Sequence, residues 1–222
     1  MLNHSISQQI GNFTLNISTF LYLVYLLPQL FHNRLVEHIK KLSLLTHSIL
    51  FSAYILDLVY AFGRSMPWQY KLVSCIGLVC LLVQHFQFLH FSSALPTIDR
   101  KVLKALTFLF LIGLAVGIYL VCSNQLSKST LVLLGSISQI GWLTYVFPQI
   151  YKNYVLKSGE GLSLYFILFI LLITLCDTLS AWFLDWDLPN KIGSPLSFGV
   201  KLILLLQFFK YSSKSSEQKL SY

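Results

Sequence analysis

Two aspartates, Asp57 and Asp177, lie 120 residues apart, each inside a stretch otherwise too apolar to dissolve in water. A carboxylate in such surroundings is costly to bury and marks a functional site by default, since it can exchange a proton or hold a solute's ammonium group. The offset of 120 recurs in Tyr25/Tyr145, Pro28/Pro148, Gln29/Gln149, Asn33/Asn153 and Ser43/Ser163, so residues 25–43 (YLLPQLFHNRLVEHIKKLS) align without a gap on 145–163 (YVFPQIYKNYVLKSGEGLS). A proline inside a helix deletes one backbone hydrogen bond and crowds the carbonyl four residues back, here Val24 and Thr144. Kinks are therefore expected at Pro28 and Pro148; one alone reads as a static kink, common in membrane helices, whereas two at symmetric depths read as hinges or gates. Gln29 and Gln149 carry donors suited to the freed carbonyls or to a bound solute, because irregular backbone survives at membrane depth only beside protein or a water-filled cavity.

Lys201 is a third ionisable group in apolar sequence. The turn before it centres near Pro189, twelve residues after Asp177 and twelve before Lys201, so acid and base share a depth. Such a pair offsets much of the desolvation cost of either charge alone. In the functional reading, Asp57 or Asp177 exchanges a proton or binds an ammonium, while Lys201 tunes that acid or meets a substrate carboxylate. In the static reading, Asp177 and Lys201 form a bridge, and Asp57 bonds Tyr54 or Tyr60. The repeat mate of Lys201 is Leu81, which leaves two acids against one base.

His85 falls near the depth of a central cavity, with His47 and His90 nearer one face; ordinary packing or interfacial roles are expected for each. His85 and His90 are five apart and share no helix face, so no metal site is expected, and no cofactor motif is present. Cys75, Cys80, Cys122 and Cys176 read as buried hydrophobes without CxxC spacing. Tyr25 and Tyr145 join the residues expected along the path, together with Asn33 and Asn153. The Gly-x-Gly-Asp motif of an intramembrane aspartyl protease is absent before Asp57 and Asp177, which argues against an enzyme.

The elements that position these residues follow from composition. The 222 residues are 55% hydrophobic and 11% charged, against about 25% charged in water-soluble domains, and mean hydropathy is +0.69. Apolar runs long enough to cross a bilayer fall at 13–32, 42–63, 70–92, 102–122, 130–152, 161–186 and 193–212. With the N-terminus outside, eleven of the basic residues fall on the cytoplasmic side and four opposite, which follows the positive-inside rule. The net charge of +8 thus records topology; basic residues gathered with exposed aromatics, as nucleic acid would require, are not seen. Residues 1–12 lack a signal peptide's basic region and cleavage site, so the first span is expected to be retained. Asn3, Asn12 and Asn16 head glycosylation sequons on the outer side, and the tail from 213 to 222 is polar and expected to be disordered.

The offset persists through Ala61/Ala181, Lys71/Lys191, Gln87/Gln207 and Phe88/Phe208. The predicted fold is an all-α integral membrane protein of seven transmembrane helices, two parallel three-helix repeats joined by a linker helix: three plus one plus three. An outer N-terminus covers 1–12, the first repeat 13–93, the linker with its loops 94–129, the second repeat 130–212 and a cytoplasmic tail 213–222. An odd linker brings the second repeat in with the orientation of the first, the signature of a transporter built from parallel repeats.

These residues resemble the PQ-loop proteins, which share this plan with the SWEET sugar carriers. FPQIYKNYVLKSGEGLSLYF, beginning at Phe147, looks like the signature of cystinosin and of the lysosomal and vacuolar cationic amino-acid exporters; LPQLFHNRLVEHIKKLS, beginning at Leu27, keeps the pair and its spacing. The resemblance implies proton-coupled export of an amino acid, cationic or cystine-like, with protons and the bilayer as the other partners. It implies a lysosomal or vacuolar membrane in a eukaryote and the inner membrane in a bacterium. A sugar facilitator and a non-transporting receptor of the KDEL-receptor kind are the alternatives on the same fold. The chain departs from its relatives at Ile170 and Thr174, where their coupling carboxylate aligns, and at Lys201, where cystinosin has an acid.

Overall fold

The computed structural model describes residues 4–66, 68–123, 126–185 and 188–219. Its helices in chain order are α1 (His4–Val24), α2 (Leu27–His32), α3 (Val36–Lys41), α4 (Leu44–Gly63), α5 (Trp68–His90), α6 (Thr97–Ser123), α7 (Lys128–Thr144), α8 (Phe147–Leu156), α9 (Leu164–Phe183) and α10 (Leu188–Lys219). Among the described residues, seven spans are long and apolar enough to cross a membrane: α1 with α2, α4, α5, α6, α7 with α8, α9, and α10 from Lys191 to Tyr211. Helices prevail because every backbone polar group in hydrocarbon must be bonded within its own segment.

The two proline spans break where the ring chemistry requires. α1 ends at Val24 and α7 at Thr144, the residues whose carbonyls Pro28 and Pro148 crowd, and each chain resumes as helix two residues on. Both breaks are shallow, since Leu26 and Val146 keep right-handed helical backbone. The spans after them also end alike: α4 and α9 terminate beside Ser65 and Asp185, repeat mates with positive φ of 52° and 54°, the left-handed conformation common just past a helix C-terminus.

Packing crosses between the repeats. α1 lies against α9 and α4 against α7, so each first span meets the second span of the other repeat. The third span flanks its own repeat, α5 beside α4 and α1, and α10 beside α9, α7 and α8. The linker α6 sits outside, docked on α4, with Gly113 and Gly117 set against Ile55 and Val59; small residues four apart are a common device for close helix approach in membranes. The rest of α6 is largely exposed, as expected of a lipid-facing helix.

Several sequence expectations are corrected. α1 begins at His4, nine residues before the expected span, and Asn12 and Asn16 lie within it. The hydroxyls their sequons depend on, Thr14 and Ser18, are buried against α9 and already hydrogen-bonded, so neither sequon is an exposed loop acceptor; Asn3 lies outside the described residues. The tail continues α10 as helix to Lys219, with no Pro or Gly to stop it, and residues 220–222 lie outside the described residues. The four cysteines are free, but Cys122 is exposed on α6 and Cys75 is only partly buried.

Candidate functional site

At the Pro-Gln end the two repeats grip each other reciprocally. Gln29 Oε1 accepts from the Ser163 N–H at 2.8 Å, and its Nε2 donates to the Gly161 carbonyl at 3.2 Å. Gln149 Oε1 accepts from the Ser43 N–H at 2.6 Å, and its Nε2 donates to the Lys41 carbonyl at 3.1 Å. Each side-chain amide therefore bonds the segment that leads into the second span of the opposite repeat, satisfying an N–H that the helix start leaves open and a carbonyl two residues before it. The loop fixes which end of the Gln149 amide donates, so Asn153 presents Oδ1 to Gln149 Nε2 at 2.7 Å; the opposite Asn153 orientation would add weak carbonyl bonds at 3.3 Å but face two amide nitrogens. Asn33 does the same for Gln29 at 2.7 Å.

The exchange extends outward. His32 Nε2 reaches the Glu160 carbonyl at 2.8 Å, and its repeat mate Lys152 donates to the Lys40 carbonyl at 2.8 Å. Gln87 and Gln207, also mates, donate to the carbonyls of Leu30 and Ile150 at 2.8 and 3.1 Å, tying each third span to its own proline span. Gln29, Asn33, Gln149 and Asn153 are all buried, whereas Pro28 and Pro148 are partly covered.

A second reciprocal set holds the acids. Ser138 of α7 donates to Asp57 at 3.2 Å, sharing its hydroxyl with the Ala53 carbonyl at 3.0 Å, while its mate Ser18 of α1 bonds Asp177. Asp57 also accepts from Tyr70 at 2.6 Å and Ser74 at 3.3 Å. These replace the Tyr54 and Tyr60 partners of the static reading, which looked along Asp57's own helix, whereas contacts between a helix and the next one in the chain carry no local spacing signal. Tyr22 donates to Asp177 at 2.9 Å. Among the described residues no ion pair joins Asp177 to Lys201, so the static bridge is absent, although the Asp177 charge acts on the buried Lys201. Lys201 Nζ instead lies 5.7 Å from the centroid of the Tyr145 ring.

Between the two sets stands an aromatic plug. Tyr25 and Tyr54 share a hydroxyl hydrogen bond of 2.8 Å, and Trp142 packs edge-on against Tyr22, Tyr54 and Tyr145. Behind it, toward the glutamines, is a cavity of about 20 Å³ whose wall includes Gln29, Thr46, His47, Gln84, Tyr145 and Gln149. His85 lies next to His47 at 3.2 Å between ring nitrogens. The structure thus brings the sequence-derived residues into three layers, with Gln29, Asn33, Gln149 and Asn153 outermost, Tyr25 and Tyr145 in the middle, and Asp57, Asp177 and Lys201 beyond. Carrying the offset upstream of Tyr25 would have found Ser18/Ser138 in sequence, and carrying it past Asp57 would have found Ser74, whose mate is Ser194; Tyr70 and Gln84 leave no such mark, their mates being Asn190 and Leu204.

The chain matches the model of the PQ loop repeat twice, over residues 10–70 and 130–190, which together make up more than half of its length. Among solved structures, a eukaryotic SWEET transporter superposes with a TM-score of 0.63 at 16% identity, covering 94% of this chain and 99% of that one. A search of curated proteins finds none that matches.

Proposed function

The chain belongs to the PQ-loop repeat family, and from that premise we propose that it is a secondary transporter of small zwitterionic or cationic solutes, amino acids above all, working by alternating access and driven by protons. One observation carries the reading: a carboxylate and an ammonium, Asp177 and Lys201, face the same interior without pairing, one on hydroxyl donors and the other over an aromatic ring. An amino acid's ammonium and carboxylate complement them. The moving bodies are the repeats at 13–93 and 130–212, with Pro28 and Pro148 as hinges. The glutamine exchange is then a closed gate, whose bonds break together when that end opens. We read this end as cytoplasmic from the distribution of basic residues, in a lysosomal or vacuolar membrane in a eukaryote or the inner membrane in a bacterium.

Counterflow in vesicles of the purified chain tests this, with labelled arginine, lysine, cystine and glucose offered singly under an imposed pH gradient. Amino-acid flux that rises with the gradient supports the proposal. Glucose flux alone would favour the sugar facilitator that shares the fold, and binding without flux of any solute would favour a receptor.

A further inference from the structure

Outside the layers just described, the first repeat holds a polar chain that the second lacks. His47 Nδ1 lies 2.9 Å from Gln84 Oε1, His47 Nε2 lies 3.2 Å from His85 Nδ1, and His85 Nε2 lies 2.8 Å from Thr107 Oγ1, whose own proton goes to the Leu103 carbonyl at 2.8 Å. The repeat mates of His47, Gln84 and His85 are Ile167, Leu204 and Leu205, and α6, which supplies Thr107, has no mate. The rings are nearly parallel, 18° apart with centroids at 5.4 Å, and are walled by Phe51, Phe88 and Phe110.

Counting protons along this chain gives its charge. Gln84 Oε1 only accepts, so His47 Nδ1 must carry a hydrogen; Thr107 has spent its own, so His85 Nε2 must carry one too; the contact between the rings needs a third. Three protons on four nitrogens make one imidazolium for the pair. Turning the Gln84 amide over, or rotating the Thr107 hydroxyl from Leu103 toward His85, accommodates the neutral pair instead. Loaded and empty states therefore differ by one local rotation. Among the described residues no carboxylate or cation bonds either ring: α5 offers Gln84, α6 offers Thr107, and across the cavity stands Tyr145. Thr46 Oγ1, beside His47, and the Tyr145 hydroxyl are buried without a partner, and both line the cavity, which is wide enough for one water molecule.

We propose that His47 and His85 together form a proton-binding site, one proton shared between the two rings, which exchanges with the pathway through His47 and the cavity behind the Gln29 and Gln149 gate. That this proton travels with a solute rests on the transport reading above; that the pair binds it does not. When the gate opens, water reaches the cavity, and His47 loads or releases on that side only.

The test is nuclear magnetic resonance of the full chain in lipid nanodiscs, with isotope-labelled histidine, across roughly pH 4 to 8, the range in which histidine changes charge. Resonances of the two rings should move together, taking up the pair's protons in two steps separated by more than about one pH unit, and His85→Gln should leave His47 titrating alone at a shifted pH. Rings that titrate independently, or stay neutral throughout, overturn the site. Gln84→Leu, which removes only the outer acceptor, provides the second variant should His85→Gln fail to insert, and it should favour the neutral pair. Coupled titration without flux of any solute leaves the site standing and removes the transport reading; flux in the wild type with uncoupled rings does the reverse.

Discussion

At the scale of single residues, the two acids are similar in partner type and different in surroundings. Asp57 sits on three hydroxyls and is buried, while Asp177 is partly accessible and lies near a cation. Asp177 is therefore the acid we assign to coupling. Asp177→Asn keeps an oxygen for one of Ser18 and Tyr22 and turns an amide N–H toward the other's hydroxyl oxygen, so it should lower stability by no more than about 1–2 kcal/mol while reducing gradient-driven uptake in reconstituted vesicles to background. Wild-type uptake by that variant would remove Asp177 from the coupling. Gly77 presents a contrasting case. A Cβ there would run into the ring and hydroxyl of Tyr54, which is buried and bonded to Tyr25. Gly77→Ala should cost about 1–3 kcal/mol by overpacking, read as a lower unfolding temperature in detergent.

At the scale of elements, function depends on how loops meet kinked helices. Gln149→Leu leaves the Ser43 N–H and the Lys41 carbonyl without partners in the closed state. That should cost about 1–3 kcal/mol there and make the open state roughly 5- to 150-fold more populated. The rate at which a membrane-impermeant maleimide labels Thr46→Cys would report it, and an unchanged rate would refute the gate. Gly161→Ala should act similarly, since its Cβ would strike the Lys41 carbonyl and displace the Gln149 amide. Pro148→Ala restores a donor at the bend, and solute flux should slow while the unfolding temperature holds. Much of this was legible in the chain: the offset of 120 located Pro28, Gln29, Asn33, Ser43 and their mates, and hydropathy gave the seven spans. What each glutamine holds was not, because the match shows which positions are equivalent but not that equivalents bond across rather than within repeats. The His47–Gln84–His85–Thr107 chain left still less trace, joining three helices with no mate in the second repeat.

At the scale of the whole molecule, the crossed packing makes the gate a property of both halves at once. Gln29 holds the loop before α9, and Gln149 the loop before α4. If the halves rock as bodies, Gln29→Ala should raise maleimide labelling of Thr46→Cys as much as labelling of its repeat mate, Phe166→Cys. If each loop frays by itself, Gln29→Ala should raise labelling at Phe166→Cys alone. α6 takes no part in these exchanges: it joins the halves, docks on α4 and lends Thr107 to one of them. The bonds of the two glutamines are drawn by one half and answered in kind by the other, so two copies of a three-span peptide carry the groups to close the same ring. Joined through a linker, the halves need not be identical, and the histidines on one side with the lysine on the other are differences that two copies of one three-span chain could not carry separately.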